Sequence, residues 1–169
     1  VDARAYAPYM HAIADQGYLA VIVPMPLNLA FFGLDQAAAV INSFPNIQQW
    51  AIGGHSLGGS MAARFVQSNP SLVDGLVFWA SYPDIDLSAE SIAVTSIFGT
   101  RDGVANLETI KNSATFLPSD TTFVPIEGGN HAQFGWYGEQ PGDAEATITR
   151  DDQQAQVLQA TLELLAGLK

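Results

Sequence analysis

One serine of this 169-residue chain lies where its hydroxyl could act as a nucleophile. Ser56 is the centre of Gly54-His55-Ser56-Leu57-Gly58, between strand-like residues 49–53 and the helical pattern of 57–67. A serine on so tight a strand-to-helix turn is held in a strained backbone conformation, with its hydroxyl exposed above the sheet. The backbone N–H of Leu57, at the positive end of the helix, can point at a developing oxyanion.

Two other interpretations of this glycine-rich turn have to be weighed. The glycines could serve only the close packing of a strand against a helix. A phosphate-binding loop is the second alternative, because Gly54 and Gly59 have the right separation. Ser60, however, occupies the position where such a loop needs its lysine, which excludes that function.

A serine hydroxyl needs a neighbouring base, and histidine is the usual one because it titrates near neutrality. The chain has three histidines. His55 directly precedes the serine, so its side chain is expected to point away from the hydroxyl, and His11 lies in a helix before the nucleophile strand. His131 follows a predicted strand, in a loop on the expected carboxyl side of the sheet, which makes it the candidate base. Its ordinary alternative is a solvated or capping residue.

The carboxylate that orients the base should follow another strand. Asp102 comes just after the apolar run 92–98 and is the candidate. Asp84 and Asp86, which follow a neighbouring strand, are its competitors, since aspartates in turns usually cap helices or contact solvent. The chain order Ser56, Asp102, His131 is the order typical of this kind of serine turn.

Composition limits what else the chain could do. Seventeen acidic residues against six basic ones give a formal charge of -11, which would repel a nucleic acid. The chain has no cysteine, so a thiolate metal site and a disulfide framework are both impossible. The longest apolar stretch is interrupted by Pro24, Pro26 and Asn28, which argues against a membrane span. No secretory signal is visible, and the compartment stays open between cytoplasm and secretion.

Predicted strands and predicted helices alternate along the chain, and they must position these residues. This alternation predicts βαβ units and an open, mostly parallel sheet with helices on both faces. Residues 1–169 are expected to form a single α/β domain. Because a helix begins almost at residue 1 with no strand before it, we expect the N-terminal strands to be missing. The predicted strands are 19–24, 49–53, 75–80, 92–98 and 122–126, and the predicted helices are 3–16, 35–44, 57–67, 107–116 and 151–165.

Three motifs together resemble the α/β-hydrolase esterases. They are Gly53-Gly54-His55-Ser56-Leu57-Gly58-Gly59, Gly99-Thr100-Arg101-Asp102 and Gly129-Asn130-His131-Ala132-Gln133-Phe134-Gly135. More narrowly, the chain is similar to the small cap-less bacterial group related in fold to dienelactone hydrolases, metagenome-derived esterase domains included. The resemblance implies a carboxylic-ester hydrolase that forms an acyl-enzyme and needs no metal or organic cofactor. Dienelactone hydrolases usually carry a cysteine nucleophile, so Ser56 argues against that particular activity.

The chain departs from this family at the oxyanion hole. The second N–H donor of the fold comes from a loop before the first helix, and that loop is missing from the sequence. Losing one such donor costs on the order of a hundred- to a thousandfold in rate. We therefore expect the natural protein to be longer.

A short interval at 81–91 leaves no room for a cap, so the site should be open and the substrates short acyl esters. An amidase, lactonase or perhydrolase would use the same residues, and a binding protein that keeps the fold without turnover is the alternative outside enzymes. The oligomeric state stays open. Aromatic candidates for lining the substrate pocket are Phe31, Phe32, Trp79, Phe134 and Trp136.

Overall fold

A four-stranded parallel sheet forms the centre of the protein, and a computed structural model describes it over residues 2–23 and 36–168. Each strand pairs in parallel with the next one along the chain, so the strand order is β1-β2-β3-β4. This confirms the predicted parallel α/β sheet. The strands are β1 (Ala51–His55), β2 (Gly75–Trp79), β3 (Ala93–Gly99) and β4 (Thr122–Ile126).

Five α-helices connect or cover these strands in the described ranges, and none of them is long and apolar enough to cross a membrane. The predicted first helix begins as a 3₁₀ turn at Ala3–Tyr6 and ends before Gly17, whose φ of 90° a side chain would oppose. The last helix starts where the Thr149 hydroxyl accepts from the N–H of Asp152 at 3.1 Å. The helices are α1 (Ala7–Ala14), α2 (Gln36–Ser43), α3 (Leu57–Ser68), α4 (Leu107–Asn112) and α5 (Arg150–Gly167).

Helices lie on both faces of the sheet, as the alternation of elements predicts. Residues of β2 alternate between the two faces, as expected for a strand with period two. Leu76 and Phe78 join the apolar cluster that contains α3, whereas Val77 and Trp79 join the cluster that contains α1 and α5. Every residue of β2 is buried, so this strand is the centre of both hydrophobic cores.

The predicted strand at 19–24 is wrong for the residues that the structure describes. Residues 19–23 are assigned to no strand, and Leu19 and Val21 are 43% and 37% exposed. An apolar run of this kind becomes a strand only when a neighbouring strand supplies hydrogen-bond partners. Within the described ranges, β1 pairs with β2 and with no second strand. Pro24 lies outside the described residues.

All four strands point the same way, so their carboxyl ends meet at one edge of the sheet. The register aligns His55 with Trp79, Trp79 with Ile97, and Gly99 with Ile126. Four segments leave this edge: Ser56 itself, residues 80–92, residues 100–106 and residues 127–149. In an open parallel sheet this edge is where ligands bind.

Candidate active site at the carboxyl edge of the sheet

Ser56 is the single residue between the end of β1 and the start of α3. Its φ of 55° and ψ of -128° lie in a region that non-glycine residues rarely adopt. Neighbouring groups hold this conformation in place. The Ser56 N–H donates to the Trp79 carbonyl at 3.0 Å, and its own carbonyl accepts from the Ser81 hydroxyl at 2.6 Å and from the Gly59 N–H at 3.0 Å.

Two glycines make this turn sterically feasible. A Cβ on Gly54 would collide with the backbone of Gly58, where the end of β1 crosses the start of α3. A Cβ on Gly59 would lie 2.6 Å from the Cβ of Ser81, the residue whose hydroxyl holds the Ser56 carbonyl. The strained conformation of Ser56 therefore requires glycine at positions 54 and 59.

Leu57 is the first residue of α3, so its backbone N–H has no acceptor within the helix. The N-terminus of a helix favours negative charge, because the aligned peptide dipoles leave a partial positive charge there. The side chain of Leu57 is half exposed and borders the same cavity as Ser56. This N–H therefore follows Ser56 directly, at the helix end that favours negative charge.

His131 and Asp102 come together from two loops of the carboxyl edge. His131 Nδ1 lies 2.8 Å from Asp102 Oδ2, and both side chains are almost completely buried. The other oxygen of Asp102, Oδ1, accepts from the N–H groups of Val104 at 2.9 Å and Ala105 at 2.7 Å. Because a carboxylate that accepts at Nδ1 fixes the ring proton there, Nε2 is left as the nitrogen that can accept a proton.

The two competing aspartates do not bond to a histidine. Asp84 forms a surface ion pair with Arg64, with 2.6 Å between Oδ2 and Nη2. Asp86 Oδ1 accepts from the N–H of Ser88 two residues later, at 2.9 Å. Both side chains are exposed. Neither contact involves a residue of the acid–histidine pair at the carboxyl edge of the sheet.

Ser56 and His131 border one cavity of about 710 Å³. No hydrogen bond joins the Ser56 hydroxyl to His131 among the described residues, and the buried His131 Nε2 has no partner there. Catalytic hydrogen bonds are often long or absent in unliganded enzymes and tighten when substrate binds. His131 Nε2 is thus a buried acceptor that faces no competing donor in the described part of the chain.

His55 also belongs to this site, which the sequence did not predict. Its ring centre lies 4.4 Å from that of His131, and its ring stacks on Phe134 at 5.6 Å. Burial, with a smaller contribution from the charge of His131, lowers the pKa of His55 to about 3, so its ring is neutral. The Tyr6 hydroxyl lies 2.8 Å from His55 Nδ1, and burial raises the pKa of Tyr6 to about 12. The adjacency of His55 to Ser56 was the only signal in the sequence.

The five aromatic candidates for the pocket have different positions. Trp79 borders the cavity. Phe134 has no exposed surface and packs on His55, so it lies behind the histidines. Trp136 is half exposed, and its indole N–H donates to Gln154 Oε1 at 2.9 Å. Phe31 and Phe32 lie outside the described residues. Across the two described ranges, no three acidic or histidine side chains converge as a metal ion would require.

Comparison with known proteins agrees with this architecture. A family model described as the alpha/beta hydrolase family matches residues 1–155. No functionally curated protein has significant sequence similarity to the chain.

Solved structures resemble the chain at low identity, which bears on the fold alone. A thermophilic esterase from Thermogutta terrifontis superposes with a TM-score of 0.71 at 14% identity, over 98% of this chain and 86% of the esterase. A monoacylglycerol lipase from Paleococcus ferrophilus gives 0.58 at 14% identity, over 80% and 74% of the two chains. An alpha/beta hydrolase from the Mar Chica lagoon metagenome gives 0.53 at 18% identity, over 61% of each chain. The chain thus spans about three fifths of the length of some of these hydrolases, such as 60% of one from Thermoplasma acidophilum.

Proposed function

Because the chain belongs to the alpha/beta hydrolase family, we propose that it is a serine-dependent carboxylic-ester hydrolase that acts through an acyl-enzyme. Ser56 is the nucleophile, His131 the general base and Asp102 the carboxylate that orients the base. The observation that carries this proposal is the buried 2.8 Å bond between His131 Nδ1 and Asp102 Oδ2 beside a serine with a φ of 55°. A buried carboxylate–imidazole pair next to a strained serine has the geometry of nucleophilic catalysis.

The proposed reaction consists of acylation and deacylation of Ser56. The Ser56 oxygen attacks the carbonyl carbon of the ester while His131 Nε2 accepts the hydroxyl proton. Asp102 stabilises the resulting imidazolium through Nδ1–H. When the tetrahedral intermediate collapses, the C–O bond to the alcohol breaks and His131 returns its proton to the leaving alcohol. Water, deprotonated by His131, then attacks the acyl-enzyme and releases the carboxylic acid and Ser56.

Leu57 supplies one donor to the negative oxygen that forms in both tetrahedral intermediates. Its N–H begins α3 directly after Ser56, so it is fixed before substrate arrives and costs no reorganisation during the reaction. Fixed donors of this kind stabilise the transition state more than the uncharged carbonyl of the substrate. This preference raises kcat and does not merely tighten binding.

The substrates proposed are short acyl esters. The interval between β2 and β3, residues 80–92, contains no helix or strand, so no cap covers the cavity from there. The cavity beside Ser56 is mainly apolar, with Trp79, Met61 and Phe65 among its lining residues. An open apolar cavity favours small esters that reach Ser56 from solvent, whereas long insoluble chains would gain from a lid.

Substitution of Ser56 tests the chemistry. Ser56→Ala should lower the hydrolysis of nitrophenyl esters by at least about ten-thousandfold and abolish labelling by an organophosphonate. Ser43→Ala is the matched control, because its hydroxyl is exposed and, within the part of the chain that the structure describes, bonds only to the Ala39 carbonyl at 2.8 Å. Residual labelling of Ser56→Ala would contradict the assignment of the nucleophile.

A substrate panel separates the remaining alternatives. Esters of increasing acyl length, lactones and amides are offered to the wild-type protein, and the highest kcat/KM is expected for short esters. Faster turnover of lactones or amides would reassign the reaction within the hydrolases. Binding of esters with neither turnover nor labelling would instead identify a non-catalytic binding protein of the same fold.

A further inference from the structure

Residues 142–145, here called the strap, lie across the two loops that carry Asp102 and His131. The acid loop is residues 100–106 and the base loop is residues 127–134. From the acid loop, Arg101 Nε donates to the Glu145 carbonyl at 2.6 Å. From the base loop, Asn130 Nδ2 donates to the Ala144 carbonyl at 2.8 Å. The strap is therefore bonded to both loops through its backbone.

Asp143 adds side-chain bonds in both directions. Its Oδ1 accepts from the N–H of Gly103 at 3.0 Å and from the N–H of His131 at 3.2 Å. Its Oδ2 accepts from the N–H of Ala132 at 2.8 Å. Gly103 directly follows Asp102, so one carboxylate binds the backbone next to the acid and the backbone of the base itself. Bonds from N–H groups to a charged oxygen are about twice as strong as neutral ones.

The close approach of the strap to the acid loop is independent evidence for this arrangement. A Cβ on Gly103 would lie 2.5 Å from the Gly142 carbonyl oxygen and 2.7 Å from the Ala144 nitrogen. Only glycine fits between these backbone atoms. The sequence thus carries, at the position after Asp102, a residue that lets the strap reach the acid loop.

We propose that Asp143 is a positioning residue, whose carboxylate joins the acid loop to the base loop and thereby keeps Asp102 Oδ2 within hydrogen-bond distance of His131 Nδ1. Its effect on rate rests on the proposed function, whereas its effect on the histidine does not. Asp143 touches no reacting atom and acts through His131 and Asp102.

Another residue anchors the base loop without touching the acid loop. The buried amide of Gln153, on α5, accepts from the N–H of Asn130 at 3.0 Å and donates to the carbonyl of Asn130 at 2.8 Å. When Asp143 is removed, the base loop therefore stays attached to α5. Two bonds also join the loops directly, from the Arg101 N–H to the Gly129 carbonyl at 2.8 Å and from the Gly128 N–H to the Thr100 hydroxyl at 2.9 Å. The expected consequence is therefore a local displacement of the backbone at Gly103 relative to that at His131, and not separation of the loops or unfolding of the domain.

The test compares Asp143→Ala, Asp143→Asn and a control, Asp86→Ala. Asp86 accepts one backbone N–H within its own turn and joins no two loops. Asp86→Ala therefore removes an aspartate side chain as Asp143→Ala does, but breaks no contact between loops. Nitrogen NMR of the histidine rings reports the tautomer of His131. The wild type and Asp86→Ala should show the single tautomer with the proton on Nδ1, and Asp143→Ala should show a mixture. Asp143→Asn keeps one accepting oxygen, so its fraction of the Nδ1–H tautomer should lie between those of the wild type and Asp143→Ala. If the alanine variant does not fold, the asparagine variant alone provides the comparison.

Ester kinetics give the second readout. Asp143→Ala should lower kcat on the order of ten- to a hundredfold at an unchanged KM, because a small misplacement of the base costs rate and not substrate binding. A single Nδ1–H tautomer in both Asp143 variants overturns the proposal, and so does a mixture already present in the wild type or a wild-type kcat in Asp143→Ala. If the wild type hydrolyses no ester while the tautomers change as expected, the proposed function fails and the role of Asp143 stands.

Discussion

The partly buried, neutral His55 should make the folded protein sensitive to mild acid. In the unfolded chain a histidine titrates near its ordinary pKa of 6.5, whereas in the folded protein burial lowers the pKa of His55 to about 3. Between these two values the unfolded chain binds a proton that the folded protein does not. The contribution of neutral His55 to the free energy of unfolding is therefore fully present above pH 6.5 and is lost as the pH falls toward 3.

The size of this effect follows from the separation of the two values. One pKa unit corresponds to about 1.4 kcal/mol, so protonation at pH 5 stabilises the unfolded chain by about 2 kcal/mol. At pH 7 the same contribution is only about 0.2 kcal/mol. A change from pH 7 to pH 5 should thus lower the free energy of unfolding by about 2 kcal/mol through His55 alone.

His55→Asn removes the titrating group and keeps a hydrogen-bond partner for the Tyr6 hydroxyl, because the side-chain amide of asparagine can both donate and accept. Urea unfolding of wild type and variant at pH 7 and pH 5 gives the loss of stability for each, and titrating groups that do not interact with His55 cancel in the difference. Tyr6→Phe leaves His55 in place and should keep the acid sensitivity of the wild type. Equal losses for wild type and His55→Asn would refute a neutral His55.

Two further substitutions test the turn and the acid. Asp102→Asn should lower kcat on the order of ten-thousandfold in steady-state ester hydrolysis, because it favours the wrong tautomer of His131; a fall of less than about tenfold would contradict the role of Asp102. Gly54→Ala should destabilise the protein by more than about 2 kcal/mol in chemical unfolding, because its Cβ meets the backbone of Gly58 with no flexible side chain to give way. A variant as stable as the wild type would show that β1 and α3 can separate at this crossing.

Much of the sheet could be predicted because its strands are short apolar runs separated by helical patterns. Residues 122–126 form the predicted strand without change, and 75–80 differs by one residue at its end. Residues 19–24 are likewise a short apolar run, yet 19–23 form no strand. Composition indicates which segments could pair, whereas pairing itself depends on what lies beside them.

The candidate site divides in the same way. Ser56, Asp102 and His131 follow strand ends, so the topology predicts a common edge, although their chemistry stays a proposal. Nothing local distinguishes Asp143 from other aspartates in turns, because its partners are backbone N–H groups far away in the sequence. The contact of His55 with His131 could not be predicted from the sequence either, since it depends on how the base loop folds back toward the end of β1.

The consecutive strand order β1-β2-β3-β4 has a consequence for how the molecule is made. Each strand can join the growing sheet as soon as one connection closes, over residues 56–74, 80–92 and then 100–121. Short closures of this kind cost little chain entropy, so docking can proceed in the order of synthesis. The serine turn needs only β2 and the residues just after it, whereas the histidine needs β4, the strap and α5. We therefore expect the serine turn to become ordered before the loop that carries His131, because the contacts of that loop come from residues nearer the carboxyl end of the sequence.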